Sequence, residues 1–413
     1  MANMSSLRYL TAGESHGEAL TAILEGMPSG LAIDEAYIAA QLQRRQQGYG
    51  RGGRMRIEKD FAKINSGVRF GKTLGSPISL RIDNLDWKNW LKKMSVDGDG
   101  EGQPVVTVPR PGHADLPGAI KYQHDDLRNV LERASARETT ARVAVGAIAR
   151  KFLESLGVSI ASHVMQIHDA AGKFSLIDYA SGAEASTPIP IHEINNRADA
   201  SPVRCLDEDA AQKMIARIDE AKEKKDTVGG IFEVAAFNVP VGLGSHVQWD
   251  RRLDARLSAA MMSIQAIKGV EVGQGFHVAG VWGSAAHDEI YFDGSTELAE
   301  VKLSNNFDNT RGYIRKTNRA GGIEGGISNG EPVIVRVAMK PLSTLMRPLA
   351  SVDIKTKEAV EAHIERSDVC AVPAAAVIGE AMMALVLADA FLEKFGGDSM
   401  KEIEERVERW RQG

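Results

Sequence analysis

Strand-like and helix-like segments follow one another in this chain without a regular strand–helix–strand rhythm. Four runs rich in β-branched residues are predicted to be strands: Val158–Ile167, Ile231–Val239, Val270–Ala279 and Pro332–Met339. The helices among them are predicted at Asp207–Lys225, Asp250–Lys268, Thr356–Glu365 and Ala374–Phe395. A doubly wound parallel sheet needs regular alternation, so this order favours an α+β fold.

Two further helical regions are predicted earlier in the chain. One covers Asp34–Gln46, with Asp34 at its start. The other, Asp125–Leu156, is either one long helix or two, because Ser135–Glu138 fits a capping box that would start a second helix. An exposed helix N-terminus there, beside Arg133 and Arg137, would suit a phosphate or carboxylate.

The composition is that of a soluble globular protein. The 413 residues are 43% hydrophobic and 25% charged, with a net charge of −5. The two cysteines, Cys205 and Cys370, form neither a disulfide framework nor a zinc pattern, and no signal peptide is evident, so a cytoplasmic location is expected. The longest apolar run, Ala374–Phe391, is interrupted by Glu380 and Asp389, which indicates a buried or amphipathic helix rather than a membrane span.

A glycine-rich loop after the first predicted helix concentrates positive charge. One acid, Glu58, accompanies six basic residues: Arg44, Arg45, Arg51, Arg54, Arg56 and Lys59. In an acidic protein such a loop favours a small anion over nucleic acid, which usually meets a broad basic face. A solvated loop without a ligand is the alternative.

The segment Gly13–Gly17 matches G-x-S-x-G, the nucleophile elbow of serine hydrolases. An elbow sits on a strand-to-helix turn and takes one oxyanion-hole N–H from an earlier loop of the sheet. The residues that precede Ser15 are too few to supply that loop. Glu14 and His16 would also crowd the tightest point of the turn. The alternative makes His16 the working residue, an acid between two flexible glycines.

Other familiar motifs do not fit their structural context. Gly48–Gly53 matches the dinucleotide pattern G-x-G-x-x-G, but it follows a predicted helix instead of a strand. Gly67–Thr73 is one residue too short for a P-loop and is predicted to be an edge strand and turn. The histidines and carboxylates show no metal-ligand pattern, so no metal site is predicted.

Several dispersed polar clusters have the composition of one anion-binding pocket. They supply arginines, two candidate acid–base histidines and glycine-lined backbone, which a phosphorylated ligand requires. The residues alone leave two alternative functions: a serine hydrolase acting through Ser15, and a non-catalytic protein that binds FMN or phosphosugars. The clusters are Glu14–Gly17, Arg45–Arg54, Arg110–Asp115, Arg133–Glu138, Gly321–Gly326 and Lys340–Thr344, with Arg366 and Asp368 beyond them.

These clusters resemble the motifs of the chorismate synthase family, and the resemblance extends over nearly the whole chain. Their order along the sequence is also that of the family, which makes the resemblance highly specific. The stretches that carry it are Gly13–Gly17, Arg44–Arg54, Pro111–Asp115, Glu132–Thr139, Gly321–Ser328, Lys340–Thr344 and Arg366–Pro373.

The resemblance implies a 1,4-elimination of phosphate and a C6 hydrogen from 5-enolpyruvylshikimate 3-phosphate, giving chorismate. It also implies a need for reduced FMN, although the reaction has no net redox change. The C6 hydrogen is not acidic, so a base acting alone would face a high barrier. A reduced flavin can lend electron density and recover it.

The resemblance further implies roles for individual residues. His16 would donate a proton to the departing phosphate, His113 would manage protonation of the reduced flavin, and Asp368 would help to remove the C6 proton. Arg45 and Arg51 resemble anion-binding arginines for the substrate, with Arg137 a weaker candidate. The implied flavin contacts are Arg133, Ala134, Ser135, Gln265, Ala266, Gly325, Lys340, Pro341, Leu342, Ser343, Thr344 and Arg366.

By the same resemblance, the chain is a single domain over residues 1–413, a β-α-β sandwich with helices between two antiparallel sheets, and a homotetramer. Residues 85–104 are expected to be a surface insertion, and a helical extension is expected from about residue 396. An external flavin reductase or NADPH-dependent source would supply the reduced FMN. Ser367 and Val369 depart from the His and Pro of many relatives, which leaves the roles of these two neighbours of Asp368 open.

Overall fold

The secondary structure comes from a computed structural model that describes residues 6–52, 59–180, 189–292, 310, 312–364 and 368–412. Numbered along the chain, the strands are β1 (Arg8–Ala12), β2 (Ala19–Glu25), β3 (Lys63–Ile64), β4 (Val68–Arg69), β5 (Lys72–Thr73), β6 (Ile78–Asp83), β7 (Ser159–Ile167), β8 (Ala170–Ala171), β9 (Gly230–Phe237), β10 (Ile267–Val272), β11 (Ile290–Phe292), β12 (Tyr313–Arg315), β13 (Ile323–Glu324), β14 (Ile327–Ser328), β15 (Val333–Met339), β16 (Ala350–Val352) and β17 (Ala359–Glu361). The helices are α1 (Glu35–Gln46), α2 (Asp115–Tyr122), α3 (Arg128–Ala134), α4 (Thr139–Ser155), α5 (Leu176–Ala180), α6 (Ile194–Ala200), α7 (Glu208–Glu223), α8 (Leu253–Met262), α9 (Gly283–Ala286), α10 (Val372–Phe395) and α11 (Met400–Gln412).

Two antiparallel sheets form the outer layers of the fold. The first has the strand order β1-β2-β6-β3, and the second has the order β10-β15-β9-β7-β8. Helix α4 packs on β2 and β6 of the first sheet, α10 packs on β7 and β9 of the second, and the two helices pack on each other. This layering confirms the predicted α+β class and the placement of helices between two antiparallel sheets.

Helix α10 fills the centre of the sandwich. It is long and apolar enough to cross a membrane, but 94% of its apolar window is buried inside the protein. Since α4, α8 and the second sheet surround it, an apolar surface on every side is what the position requires. The prediction of a buried helix is confirmed, and its two acids, Glu380 and Asp389, are paired with arginines.

Helix starts were well marked in the sequence. The Asp34 side chain accepts a hydrogen bond from the Tyr37 backbone N–H at 2.7 Å and so caps α1. The chain breaks at Ser135, whose backbone is extended and whose hydroxyl accepts from the Arg137 N–H, so the two-helix alternative is confirmed. Glu138 does not complete a capping box, because its carboxylate accepts from Thr11, Arg142 and Gln265 instead.

Two predicted boundaries around β10 are wrong. The helix predicted to reach Lys268 ends at Met262, and β10 already begins at Ile267. The strand predicted to reach Ala279 ends at Val272, because Gly273 adopts a φ of +59° and a short 3₁₀ helix follows from Gly275. Glycine accepts this backbone conformation without strain, which lets the chain leave the sheet there.

The helix predicted at Thr356–Glu365 is also wrong, since this segment contains β17, which pairs with β16. The Asp353 carboxylate accepts hydrogen bonds from the N–H groups of Lys355 and Thr356, at 2.8 and 3.1 Å, and so stabilises the connecting turn. Lys357 then takes a φ of +65°, which a helix excludes.

Glycine is required where α4 crosses α10. A Cβ at Gly146 would lie 2.5 Å from the Ala381 Cβ and 2.8 Å from its Cα. We expect Gly146→Ala to lower the free energy of unfolding by about 1–3 kcal/mol, because the backbones must separate. Urea denaturation measures this, with Gly280→Ala as the control because its Cβ would have no atom within 4 Å. Equal unfolding midpoints for the two variants would contradict the expectation.

Candidate active site

The loop between β1 and β2 carries His16 against the end of α3. His16 Nδ1 lies 2.8 Å from Glu132 Oε2, and the His16 backbone N–H donates to the same oxygen at 3.0 Å. Because a carboxylate only accepts, this contact holds a proton on Nδ1. Arg128 donates to the other Glu132 oxygen at 3.0 Å, so the buried carboxylate is balanced by a cation.

Two features of this loop bear on its alternative interpretations. Gly13 has a φ of +107°, and a Cβ there would lie 2.5 Å from the Ala19 carbonyl oxygen, so the tight return into β2 requires glycine. Ser15 is only 4% exposed, and its hydroxyl accepts a hydrogen bond from the Ser135 hydroxyl at 3.2 Å. The geometry therefore favours His16 over Ser15 as the group that meets a substrate.

His113 is paired with a carboxylate in the same way as His16. Its Nδ1 lies 2.5 Å from Oδ1 of Asp115, at the start of α2, and Arg110 Nε donates to Oδ2 at 2.8 Å. Burial raises the pKa of the Asp115 carboxyl, but the hydrogen bonds from His113 and Arg110 outweigh it and leave the pKa well below its usual range. Asp115 is thus a permanent anion that orients the imidazole.

The segment from Lys340 to Thr344 closes on the His113 loop. Lys340 Nζ donates to the Gly112 carbonyl at 2.7 Å and to the Ser343 hydroxyl at 2.9 Å. Thr344 accepts from Arg110 at 3.1 Å. Burial, with a smaller contribution from the charge of Lys268, lowers the pKa of Lys340. The arrangement gathers one ammonium group and two hydroxyl groups, the partners that a phosphate needs.

The two predicted anion-binding arginines have different partners, Arg45 at the α3–α4 break and Arg51 at Asp368. Arg45 is buried, and it donates to the Thr139 hydroxyl and to the Ala136 carbonyl, both at 3.0 Å. Arg51 lies 3.2 Å from the Asp368 carboxylate, which also accepts from the Gly52 N–H at 2.6 Å. The structure therefore joins a predicted substrate residue directly to a predicted catalytic one.

Hydrogen bonds of both backbone and side chains connect several of the predicted site segments with one another. Gln265 donates to Glu138 at 3.2 Å, while the Ala266 carbonyl accepts from the Lys340 N–H at 3.0 Å. The Leu342 carbonyl accepts from Thr227, and the neighbouring Val228 N–H donates to the Val369 carbonyl. A cavity of about 450 Å³ opens beside this region, with walls that include Tyr9, Thr11, Arg133, Glu138, Arg142 and Gln265.

One of the predicted flavin residues lies away from this region. Gly325 is the turn of the β13–β14 hairpin, next to the N-terminus of α8, where the Leu253 N–H donates to the Gly326 carbonyl. Gln265 lies past the other end of α8, roughly 15 Å of helix away. Arg366 lies outside the described residues.

Sequence reasoning left the two orienting carboxylates without a role. Asp115 is one residue of the His113 motif, and Glu132 is the first residue of the Glu132–Thr139 stretch. A histidine followed two residues later by an aspartate was a usable signal for the first pair. Glu132 is 116 residues from His16, and only tertiary structure brings them together.

An α+β sandwich that holds two histidine–carboxylate pairs among arginines and a lysine defines an enzyme for a small anionic substrate. The family model described as chorismate synthase matches residues 7–392. The chain is 55% identical over 407 residues to chorismate synthase from Desulforamulus reducens, covering 98% of each chain. With chorismate synthase from Bacillus subtilis the identity is 52% over 410 residues, again covering 98% of each. A crystal structure of chorismate synthase superposes with a TM-score of 0.75 and 45% identity, covering 98% of this chain and 97% of the other.

The chain belongs to the chorismate synthase family. Its activity is that of a carbon–oxygen lyase of the shikimate pathway, EC 4.2.3.5, which forms chorismate from 5-enolpyruvylshikimate 3-phosphate. Members of this family depend on a flavin.

Proposed function

We propose that His16 is the general acid that protonates the phosphate as it leaves 5-enolpyruvylshikimate 3-phosphate. The contact between His16 Nδ1 and Glu132, at 2.8 Å, carries this proposal. With Nδ1 engaged, the proton for the substrate comes from Nε2, and the anionic Glu132 stabilises the doubly protonated ring before transfer. Arg51 and Lys340 supply positive charge for the substrate's phosphate and carboxylates.

The residues of the cavity fit a reduced FMN. Its volume of about 450 Å³ lies within the usual range for a ligand of this size. Gln265 Oε1 is buried without a hydrogen-bond partner among the described residues, so it has an unused acceptor for an N–H of the ring system. When bound, reduced FMN supplies electron density that assists cleavage of the C–O bond and is returned as the C6 hydrogen leaves.

His113 and Asp368 have complementary roles in this proposal. The Asp115 carboxylate holds His113 in one tautomer, which suits a residue that keeps the protonation state of a flavin constant. Asp368 is held by the Gly52 N–H and by Arg51, and it assists removal of the C6 proton. Arg133, which donates to the carbonyls of Thr11 and Gly13, maintains the shape of the cavity wall.

We also propose a cytoplasmic homotetramer of single-domain chains, supplied with reduced FMN by an external reductase or NADPH-dependent source. Large exposed apolar side chains support self-association, because exposed apolar surface is often covered in a protein–protein interface. They are Trp249, Phe276, Trp282 and Phe292. Sedimentation velocity tests the assembly, and a monomer at micromolar concentration would contradict it.

The flavin dependence is tested by an anaerobic assay of phosphate release from 5-enolpyruvylshikimate 3-phosphate. We expect release with reduced FMN and none with oxidised FMN or without flavin, because only the reduced form can lend electrons. Circular dichroism confirms that the protein is folded. Equal release in all three conditions would contradict the cofactor proposal, and no release with reduced FMN would contradict the substrate assignment.

A further inference from the structure

The excursion between β6 and α2 contains a side chain that turns toward the active site. Most of residues 85–104 are exposed, including Leu85, Leu91 and Val96, as expected of a surface insertion. Trp90 is partly buried, and its ring stacks on that of His16, with centroids 3.7 Å apart and planes inclined by 24°. The predicted surface insertion thus covers the ring of a proposed catalytic residue.

The stack is supported by hydrogen bonds at the base of the excursion. Trp90 Nε1 donates to the Asp86 carboxylate at 3.0 Å, and the Asp86 N–H donates to the Asn84 side chain at 3.0 Å. Asn84 is buried, and its side chain donates to the Gly17 carbonyl at 2.8 Å. The excursion is therefore anchored to the same loop that carries His16.

Positive charge surrounds the indole as well. The Arg128 guanidinium lies 5.4 Å from the Trp90 ring centroid, and the Lys93 ammonium lies 5.2 Å from it. Arg128 also donates to Glu132. It therefore contacts both neighbours of the His16 ring, the indole on its face and the carboxylate at its edge. An imidazolium on the same indole gains the attraction that a π-face offers a cation.

We propose that Trp90 is a positioning residue for His16. The hydrogen bond at Nδ1 holds one edge of the imidazole, and the stacked indole fixes the plane of the ring and so the direction of Nε2. The proposal rests on His16 being the proton donor to the leaving phosphate. Misplacement of a catalytic group by about 1 Å can cost on the order of a hundredfold in rate, so a partial loss of orientation has a measurable effect.

Kinetics of loop variants test this role. We expect Trp90→Leu to lower kcat by about tenfold with KM changed less than about twofold, since the substrate contacts are kept and only orientation is lost. Trp90→Phe, which restores a stackable ring, should recover most of the activity. Trp87→Leu is the matched control, because Trp87 begins the short 3₁₀ helix that Trp90 follows, and no ring contact is found for it among the described residues.

Tryptophan fluorescence reports the stack without any turnover. The imidazole stacked on Trp90 covers one face of the indole, so wild-type emission should contain a component that acrylamide quenches slowly. This component should vanish in Trp90→Phe and in His16→Ala and persist in Trp87→Phe. Glu132, Arg128, Lys93 and Asp86 also face the pair, and His16→Ala separates their influence from that of the imidazole.

The outcomes distinguish this inference from the proposed function on which it rests. Full kcat in Trp90→Leu, with His16→Ala inactive, would overturn the positioning role and leave the proton donor intact. An active His16→Ala would overturn the proton donor itself. A slowly quenched component that is unchanged in His16→Ala would show that the imidazole does not cover the indole in solution and would overturn the inference.

Discussion

His16→Ala is expected to lower kcat by about a hundredfold to ten-thousandfold, the range that a lost general acid usually costs. The departing phosphate would then leave without the proton that Nε2 supplies while Nδ1 is held by Glu132. Anaerobic single-turnover measurements with reduced FMN give this rate directly. Binding of the substrate should weaken much less than the rate falls, because the arginines and Lys340 are untouched.

Ser15→Ala is the matched control for that measurement. It lies in the same loop, and its hydroxyl accepts a neutral hydrogen bond from the Ser135 hydroxyl, a bond worth about 0.5–1.5 kcal/mol. We expect the variant to keep most of its activity and to react no differently with acylating serine-hydrolase probes. Should Ser15→Ala be inactive and His16→Ala active, the serine-nucleophile interpretation of this loop would have to be reinstated.

Glu380→Gln is expected to give the largest loss of stability, about 3–5 kcal/mol in the free energy of unfolding. Glu380 lies in the middle of α10, and both of its oxygens accept from Arg44, at 2.7 and 2.9 Å. Arg150 and Arg204 donate to it as well. Removing the carboxylate charge leaves three buried guanidinium groups with only the more exposed Asp199 and Glu154 to balance them. Urea denaturation at neutral pH measures the change.

The same cluster predicts the direction of the pH dependence. Burial raises the pKa of Glu380, but the charges of Arg44 and Arg150 outweigh it and lower the pKa from 4.5 to about 2. A carboxyl group with a lowered folded-state pKa stabilises the protein above its unfolded pKa, and this stability is lost as the pH falls from about 4.5 toward 2. In Glu380→Gln that part of the acid sensitivity should be missing.

Glu393→Gln is the control on the same helix. Glu393 is exposed and pairs with Arg251 and Arg256 at the surface, where an ion pair contributes about 0–1 kcal/mol. A loss for Glu380→Gln no larger than the loss for Glu393→Gln would contradict the view that the buried network depends on its charge.

The fold was predictable where local signals and tertiary packing agree. Asp34 caps α1 and Asp207 caps α7, as their positions indicated. The secondary-structure prediction failed where a short segment had no strong preference for either helix or strand. Residues 356–365 contain helix-forming side chains, but the Asp353 turn and pairing with β16 make part of that segment a strand. The partner strand is close by in the sequence, so it is the turn at Asp353 and not a distant contact that the composition failed to indicate.

The site was predictable only as far as its motifs extend. His16, His113 and Asp368 follow from their motifs, and the structure shows how each is held. Glu132 and Trp90 escaped notice because their contacts with His16 join residues 116 and 74 positions away, which no spacing rule covers. Gly325 is the opposite case. It belongs to a well-matched motif, but within one chain it lies away from the other predicted flavin residues.

The burial of α10 has a consequence for how the chain is synthesised. At roughly 5–20 residues per second, α4 leaves the ribosome about 10–40 s before α10 does, and the second sheet's β7 and β9 also precede it. The surfaces that cover this apolar helix are therefore available when it emerges, and it need not stay exposed to aggregation or to membrane-insertion machinery. Moving residues 372–395 ahead of these partners in the chain would remove that protection.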